Sequence, residues 1–114
     1  RGGANLAVEI FGSDPLGNYD NRQGGIVFCD GIERSFTPGE FIILKPGQSI
    51  TLLPGDWHAF WGHDGDVLVG EVSTVNDDSE DNIFRDQVSR FSDIDEDTAP
   101  IHLLVSDYEK WLNA

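Results

Sequence analysis

Residues 38–61 read PGEFIILKPGQSITLLPGDWHAFW, and a Pro-Gly pair returns every eight residues, at Pro38-Gly39, Pro46-Gly47 and Pro54-Gly55. Proline presets the φ of a turn's second residue and glycine takes the positive φ of its third, so each pair reads as a tight turn. The segments between them, "EFIILK" and "QSITLL", are short, rich in Ile, Leu, Phe and Thr, and bounded on both sides by turns, which is the signature of short strands. Working outward, "NLAVEIF" from Asn5, "GIVFCD" from Gly25 and "DVLVGEVSTV" from Asp66 have the same character, and "IHLLV" at 101–105 follows a polar loop. In the first of these Leu6, Val8 and Ile10 alternate with Asn5, Ala7 and Glu9, the period of two of a strand wet on one face. The tail "SDYEKWLNA" carries Ser106 and Glu109 in the S-x-x-E arrangement of a capping box, and reads as one or two turns of helix. Six or seven short strands with no long helix between them predict an all-β, antiparallel sandwich or barrel with a short C-terminal helix.

The totals set bounds on function. At 114 residues the chain is one domain's worth of protein, and a single domain over 1–114 is expected. Hydrophobic residues at 39% and charged residues at 25% suit a folded, soluble protein rather than a disordered one. No apolar run approaches the roughly 20 residues of a membrane span, and "RGGANL" lacks the apolar core of a secretory signal. The single cysteine, Cys29, has no partner for an internal disulfide, which leans toward the cytoplasm. With no methionine anywhere, the chain is expected to be a piece of a longer polypeptide. A formal charge of -14 repels phosphate backbones and anionic lipid, so neither nucleic acid nor membrane is an expected partner. The acidity reads first as solvated surface.

Motif by motif, most familiar chemistries fail on spacing. Asp77, Asp78, Glu80 and Asp81 crowd four carboxylates into five positions, but an EF-hand loop begun at Asp77 needs Gly at its sixth position and Glu at its twelfth and meets Asn82 and Val88. His58, His63, His102 and Cys29 form no His-x-His, His-x-x-x-His or Cys-x-x-Cys pair of the zinc type. His63, in "WGHDGD", reads as part of a hairpin tip, and His102 as a packed histidine. His58 stands apart. On a strand that follows the Pro54-Gly55 turn, His58 and Phe60 point to one face, while Trp57, Ala59 and Trp61 point to the other. Spacing alone favours a hydrogen-bonded structural histidine there over a ligand.

The string as a whole changes that balance. "LLPGDWHAFWG" resembles the second conserved motif of cupins, in which a Pro-Gly turn leads into a strand bearing a metal-binding histidine. "LKPGQSITLLPGDWHAFW", followed by "GEVSTVNDDSEDNIF", "SRF" and "IDEDTAP", is more specifically similar to the cupin-type D-lyxose isomerases, and the likeness runs from "RGGANL" to Asp107-Tyr108. The resemblance implies a small, jelly-roll-like cupin barrel that uses a divalent metal, usually manganese, to interconvert an aldose and its ketose. It makes His58 a metal ligand. The family's other ligands, a His-x-His pair and a Glu with a nearby Lys, lie just ahead of the equivalent of "RGGANL", so the domain is expected to be incomplete on its N-terminal side: those ligands come from a preceding segment or another chain, or else the piece is an inactive remnant.

Moving a carbonyl between C1 and C2 of a sugar takes a proton off one carbon and returns it to the next through an enediol, which calls for a charge-stabilising ion and a carboxylate to carry the proton. Glu71, in "LVGEVS", is the candidate base; on a strand it would share a face with Val67, Val69 and Ser73, where burial raises a carboxyl pKa. An orienting role, or a solvent-facing row, fits Glu71 as well. For the sugar hydroxyls "NDDSEDNIFRDQVSRF" offers Asp78, Asp81, Asn82 and Arg90, with a salt bridge that pins the acidic loop as the other reading of Arg90. Phe60 and Trp61 are candidate apolar walls for the sugar ring, or simply core. The expected function is a D-lyxose/D-xylulose or D-mannose/D-fructose isomerase; the alternative is a non-catalytic cupin-like module that holds a sugar or a cation. Strand edges left open by an incomplete barrel would favour a homodimer.

Overall fold

A computed structural model describes residues 2–77, 80–87, 97–104 and 107–112. They fall into two compact units, residues 1–76 and 77–114, each described by itself.

The first unit is organised by its turns. Gly39, Gly47 and Gly55 take φ of 75°, 86° and 91°, the positive value that a type II turn requires of its third residue. All three turns are closed the same way. The fourth residue's N–H donates to the first residue's carbonyl, Glu40 to Thr37, Gln48 to Lys45 and Asp56 to Leu53, each at 3.0 Å. Its side chain then reaches back to accept the first residue's N–H: Thr37 to Glu40 Oε2 at 3.0 Å, Lys45 to Gln48 Oε1 at 2.8 Å, and Leu53 to Asp56 Oδ2 at 2.7 Å. The eight-residue repeat is therefore Pro-Gly followed by a side chain with an acceptor oxygen, and each turn closes with two bonds instead of one.

Six strands follow: β1 (Gly2–Phe11), β2 (Gly25–Cys29), β3 (Ile32–Phe36), β4 (Glu40–Leu44), β5 (Ile50–Thr51) and β6 (Trp57–Leu68). They form two three-stranded sheets, β4-β1-β6 and β3-β2-β5, with every pairing antiparallel. The all-β expectation holds. In the first sheet Leu6, Val8 and Ile10 of β1 stand opposite Leu44, Ile42 and Glu40 of β4. Leu6, Val8, Ile10, Ile42 and Leu44 are all buried and form one cluster with Val27 and Phe36 of the second sheet. The alternation read from "NLAVEIF" thus marks the inner face correctly, although Ala7, on the other face, is buried as well.

Several element assignments change. β3 was not among the expected strands; it closes a hairpin with β2 through Asp30-Gly31, whose φ values of 50° and 79° are those of a two-residue type I′ turn. The strand expected from Asp66 to Val75 ends at Leu68, and residues 69–77 are in no strand. His63 is not at a hairpin tip: it lies within β6 opposite Asn5, and β6 runs on to Leu68. The turn-forming residues Asp64 and Gly65, both at positive φ, are taken up where the β1–β6 register shifts between Gly3 and Asn5, a bulge rather than a reversal.

In the second unit, residues 101–104 of the expected "IHLLV" strand are not extended in a sheet, and Val105 lies outside the described residues. The helix α1 spans Tyr108–Trp111, with Asp107 at its N-cap and no side-chain capping bond. Ser106, the expected cap, lies outside the described residues. The Asp107 carboxylate instead accepts the N–H of Leu104 at 2.9 Å.

Glu40 ties a turn to the charge balance of the fold. Its carboxyl is held below its ordinary value of 4.5, first by the Thr37 amide it accepts and then by the Arg34 guanidinium, which donates at 2.6 Å. A depressed folded-state pKa adds stability that is fully present above 4.5 and lost as pH falls through the lower folded value. Glu40→Gln keeps an acceptor for Thr37 and drops the ion pair. Urea titrations should find it less stable than the parent at pH 7, with the gap closing as pH falls below 4.5; a gap that persisted unchanged at acid pH would remove the ionic contribution.

Candidate active site

His58 is placed by the third Pro-Gly turn and by β1. It opens β6 one residue after Trp57 and pairs with Ile10, while Phe60 pairs with Val8. Cross-strand partners share a face, so both rings lie on the side of the sheet that carries the buried Leu6, Val8 and Ile10. β6 is the edge strand of its sheet, and this end of the inner face is open: Phe60 is 51% exposed and His58 is exposed beside it. The two rings are nearly parallel, 11° apart with centroids at 6.4 Å.

One contact bears on the tautomer of the imidazole. His58 Nδ1 lies 3.2 Å from the backbone carbonyl oxygen of Asp56. A carbonyl only accepts, so in the neutral ring Nδ1 carries the proton and the lone pair sits on Nε2. A backbone carbonyl on one ring nitrogen is the usual way a ligating histidine is held, with the other nitrogen turned to the electrophile. Asp56 itself is fixed by its two bonds to Leu53. Burial pushes its carboxyl above the ordinary 3.8, against the Leu53 amide, which pulls it down.

A second network anchors the same turn from across the sheet. Ser13 donates its hydroxyl to the Gly55 carbonyl and accepts the indole N–H of Trp57 at 3.0 Å. The Trp57 ring packs edge-on against Tyr19, and Tyr19 against Phe11, with centroids 5.9 and 5.1 Å apart.

Within the first unit the other candidate residues are not gathered around His58. Trp61 pairs with Ala7 and so lies on the opposite face, edge-on to Phe41 at 5.5 Å; of the two expected sugar walls only Phe60 shares the histidine's side. Glu71 lies three residues beyond the end of β6 and is exposed, so the row shared with Val67, Val69 and Ser73, and the burial that went with it, are not formed. The chain leaves the sheet at Leu68, and the strand period no longer applies. Asp81 and Asn82 belong to the second unit; Asp81 Oδ2 accepts the Asp77 N–H at 2.6 Å, and both residues are exposed. Asp78 and Arg90 lie outside the described residues.

Among the described residues no three His, Cys, Asp or Glu side chains come together as a metal site. His58 meets the requirement of one nitrogen donor, and by themselves the described residues do not make a metal centre. An open depression of about 610 Å³ lies at Asp14, Tyr19, Asp20, Asn21 and Arg22, but its carboxylates are engaged within the loop. Asp14 accepts the N–H groups of Leu16 and Asn18, and Asp20 those of Arg22; these bonds hold both carboxyls below their ordinary value. Sequence reasoning missed Ser13 and the Asp56 carbonyl. A backbone acceptor leaves no trace in side-chain spacing, and Ser13 is 42 residues from the glycine it holds.

Residues 1–108 match the D-lyxose isomerase family. A D-lyxose/D-mannose isomerase of Serratia proteamaculans is 46% identical over 119 aligned positions, covering 98% of this chain and 50% of the relative. One of Escherichia coli O157:H7 is 43% identical over 114 positions, covering 97% and 49%. The chain spans about half the length of these relatives, and a match that takes in both the turn repeat and His58 carries the conclusion: it belongs to the D-lyxose isomerase family.

Proposed function

We propose that the protein to which this chain belongs is an aldose–ketose isomerase that interconverts D-lyxose and D-xylulose, or D-mannose and D-fructose, by proton transfer through an enediol. The observation that carries the reading is His58, which stands on the open inner face of β6 with its Nδ1 at 3.2 Å from the Asp56 carbonyl oxygen, the contact that would hold a ligating imidazole in place. Relatives named D-lyxose/D-mannose isomerase support the two sugar pairs. His58 Nε2 is one ligand of a divalent ion, manganese by resemblance, and the remaining ligands come from outside the described residues. When bound, such an ion supplies Lewis-acid polarisation of sugar oxygens. Phe60, beside His58, supplies an apolar wall, and the acidic 77–82 segment supplies hydroxyl partners. The protein acts in the cytoplasm as a homodimer. The test is direct: the intact protein with manganese, given D-lyxose and D-mannose, should form the matching ketoses, and neither turnover nor metal-dependent sugar binding would refute the reading.

Glu71 is the proton carrier we assign within this chain. It is the one charged residue of "VLVGEVSTV", residues 67–75, in which Leu68, Val72 and Val75 are 76%, 100% and 104% exposed. An apolar stretch of this kind favours burial once it is covered. Glu71→Gln should keep the metal content and lower kcat by roughly 10²- to 10⁴-fold, the usual contribution of a positioned base; an unchanged kcat would place the base elsewhere.

A further inference from the structure

We infer that Ser13 is a positioning residue for His58, acting through the turn that carries it. The inference deepens the reading above, since it takes His58 as the functional group. Three observations meet at this hydroxyl. Ser13 Oγ donates to the Gly55 carbonyl and accepts from Trp57 Nε1, so a single atom grips the residues on either side of Asp56. Asp56, between them, is the residue whose carbonyl takes the Nδ1 proton of His58. Gly55 leaves no space between the two segments: a methyl group built there would lie 3.3 Å from Ser13 Oγ. The turn's local bonds to Leu53 set the hairpin's own shape, the pairing of Trp57 with Phe11 holds its exit to β1, and Ser13 ties its Gly55 carbonyl to the chain leaving β1.

The physical consequence is a choice of tautomer. A histidine side chain in water favours the proton on Nε2, which would leave no lone pair there for an electrophile. The Asp56 carbonyl reverses that choice, and it does so only while it is held at hydrogen-bonding distance from Nδ1. Losing the Ser13 hydroxyl frees the Gly55 carbonyl and strands the indole N–H of Trp57, so the carbonyl between them is no longer held from both sides.

The measurement is the ¹⁵N–¹H correlation pattern of the His58 ring in the intact, metal-free protein at a pH where the ring is neutral. The parent should show a protonated Nδ1 and an unprotonated Nε2. Ser13→Ala should shift His58 toward the Nε2–H pattern while His63 and His102 keep theirs, and Ser13→Thr, which keeps the hydroxyl, should restore the parent pattern. If Ser13→Ala does not fold, Trp57→Phe, which keeps an aromatic ring and removes one of the two bonds, carries the same test. A parent-like ring pattern in whichever variant folds overturns the inference. Because the readout needs neither metal nor sugar, it stands or falls separately from the isomerase assignment: an Nδ1–H ring in an inactive protein would leave the positioning role intact and remove only the reaction.

Discussion

Replacing His58 with alanine in the intact protein is expected to abolish tight metal binding and sugar isomerisation together while leaving the fold in place. The ring is exposed and on an edge strand, and its one hydrogen bond among the described residues is to its own turn, so its loss should change stability by no more than about 0.5 kcal/mol. The effect on the metal is of another order. Removing a group that merely holds a ligand in place costs roughly 10- to 100-fold in affinity or activity, and deleting the ligand itself exceeds that. Metal content after dialysis, kcat/KM on D-lyxose and a urea titration of the same preparation separate the outcomes. Metal and turnover lost with an unchanged urea midpoint is the expected result. A sugar affinity that survives in a variant without metal would fit a binding module instead. Full activity would take His58 out of the site.

The second large effect concerns stability and turns on two neighbours of the same chemical type. Ile42 is fully buried, opposite Val8 in the core, and Ile43, the next residue on β4, is 39% exposed on the other face, opposite Ala7. Ile42→Ala removes three methyl or methylene groups from a packed cluster and leaves a cavity, at a cost of about 2–5 kcal/mol. Against the roughly 5–15 kcal/mol that holds a domain of this size together, that is a large fraction, and the urea midpoint should fall by on the order of 1 M or more. Ile43→Ala should cost well under half as much, because the side chain gives up only partial contact. Equal losses at the two positions would mean that the inner face of the first sheet is not the principal core.

The same pair shows where reading along the chain runs out. "EFIILK" is apolar at four consecutive positions, so it predicts a strand without saying which residues face in. Pairing with β1 decides it, because β1 has a clear period of two and lends its sidedness to the strands on either side. β3 was legible in principle through Asp30-Gly31, a strong two-residue hairpin signal set between "GIVFC" and "IERSF". "WGHDGD" carried the same kind of signal and meant something else, since β1 continues alongside and the turn residues are absorbed as a bulge.

By itself the sequence determined the all-β class, the three turns and the strand that carries His58, because each rests on local chemistry: the fixed φ of proline, the free φ of glycine and an alternation of side chains within a few residues. It also determined the family, through a match over residues 1–108. Only the tertiary structure decided that His58 Nδ1 lies against the Asp56 carbonyl, that Phe60 shares its face and Trp61 does not, and that Ser13 grips the turn from 42 residues away. Those are properties of backbone carbonyls and of strand register, set by what lies across the sheet and not by neighbours along the chain.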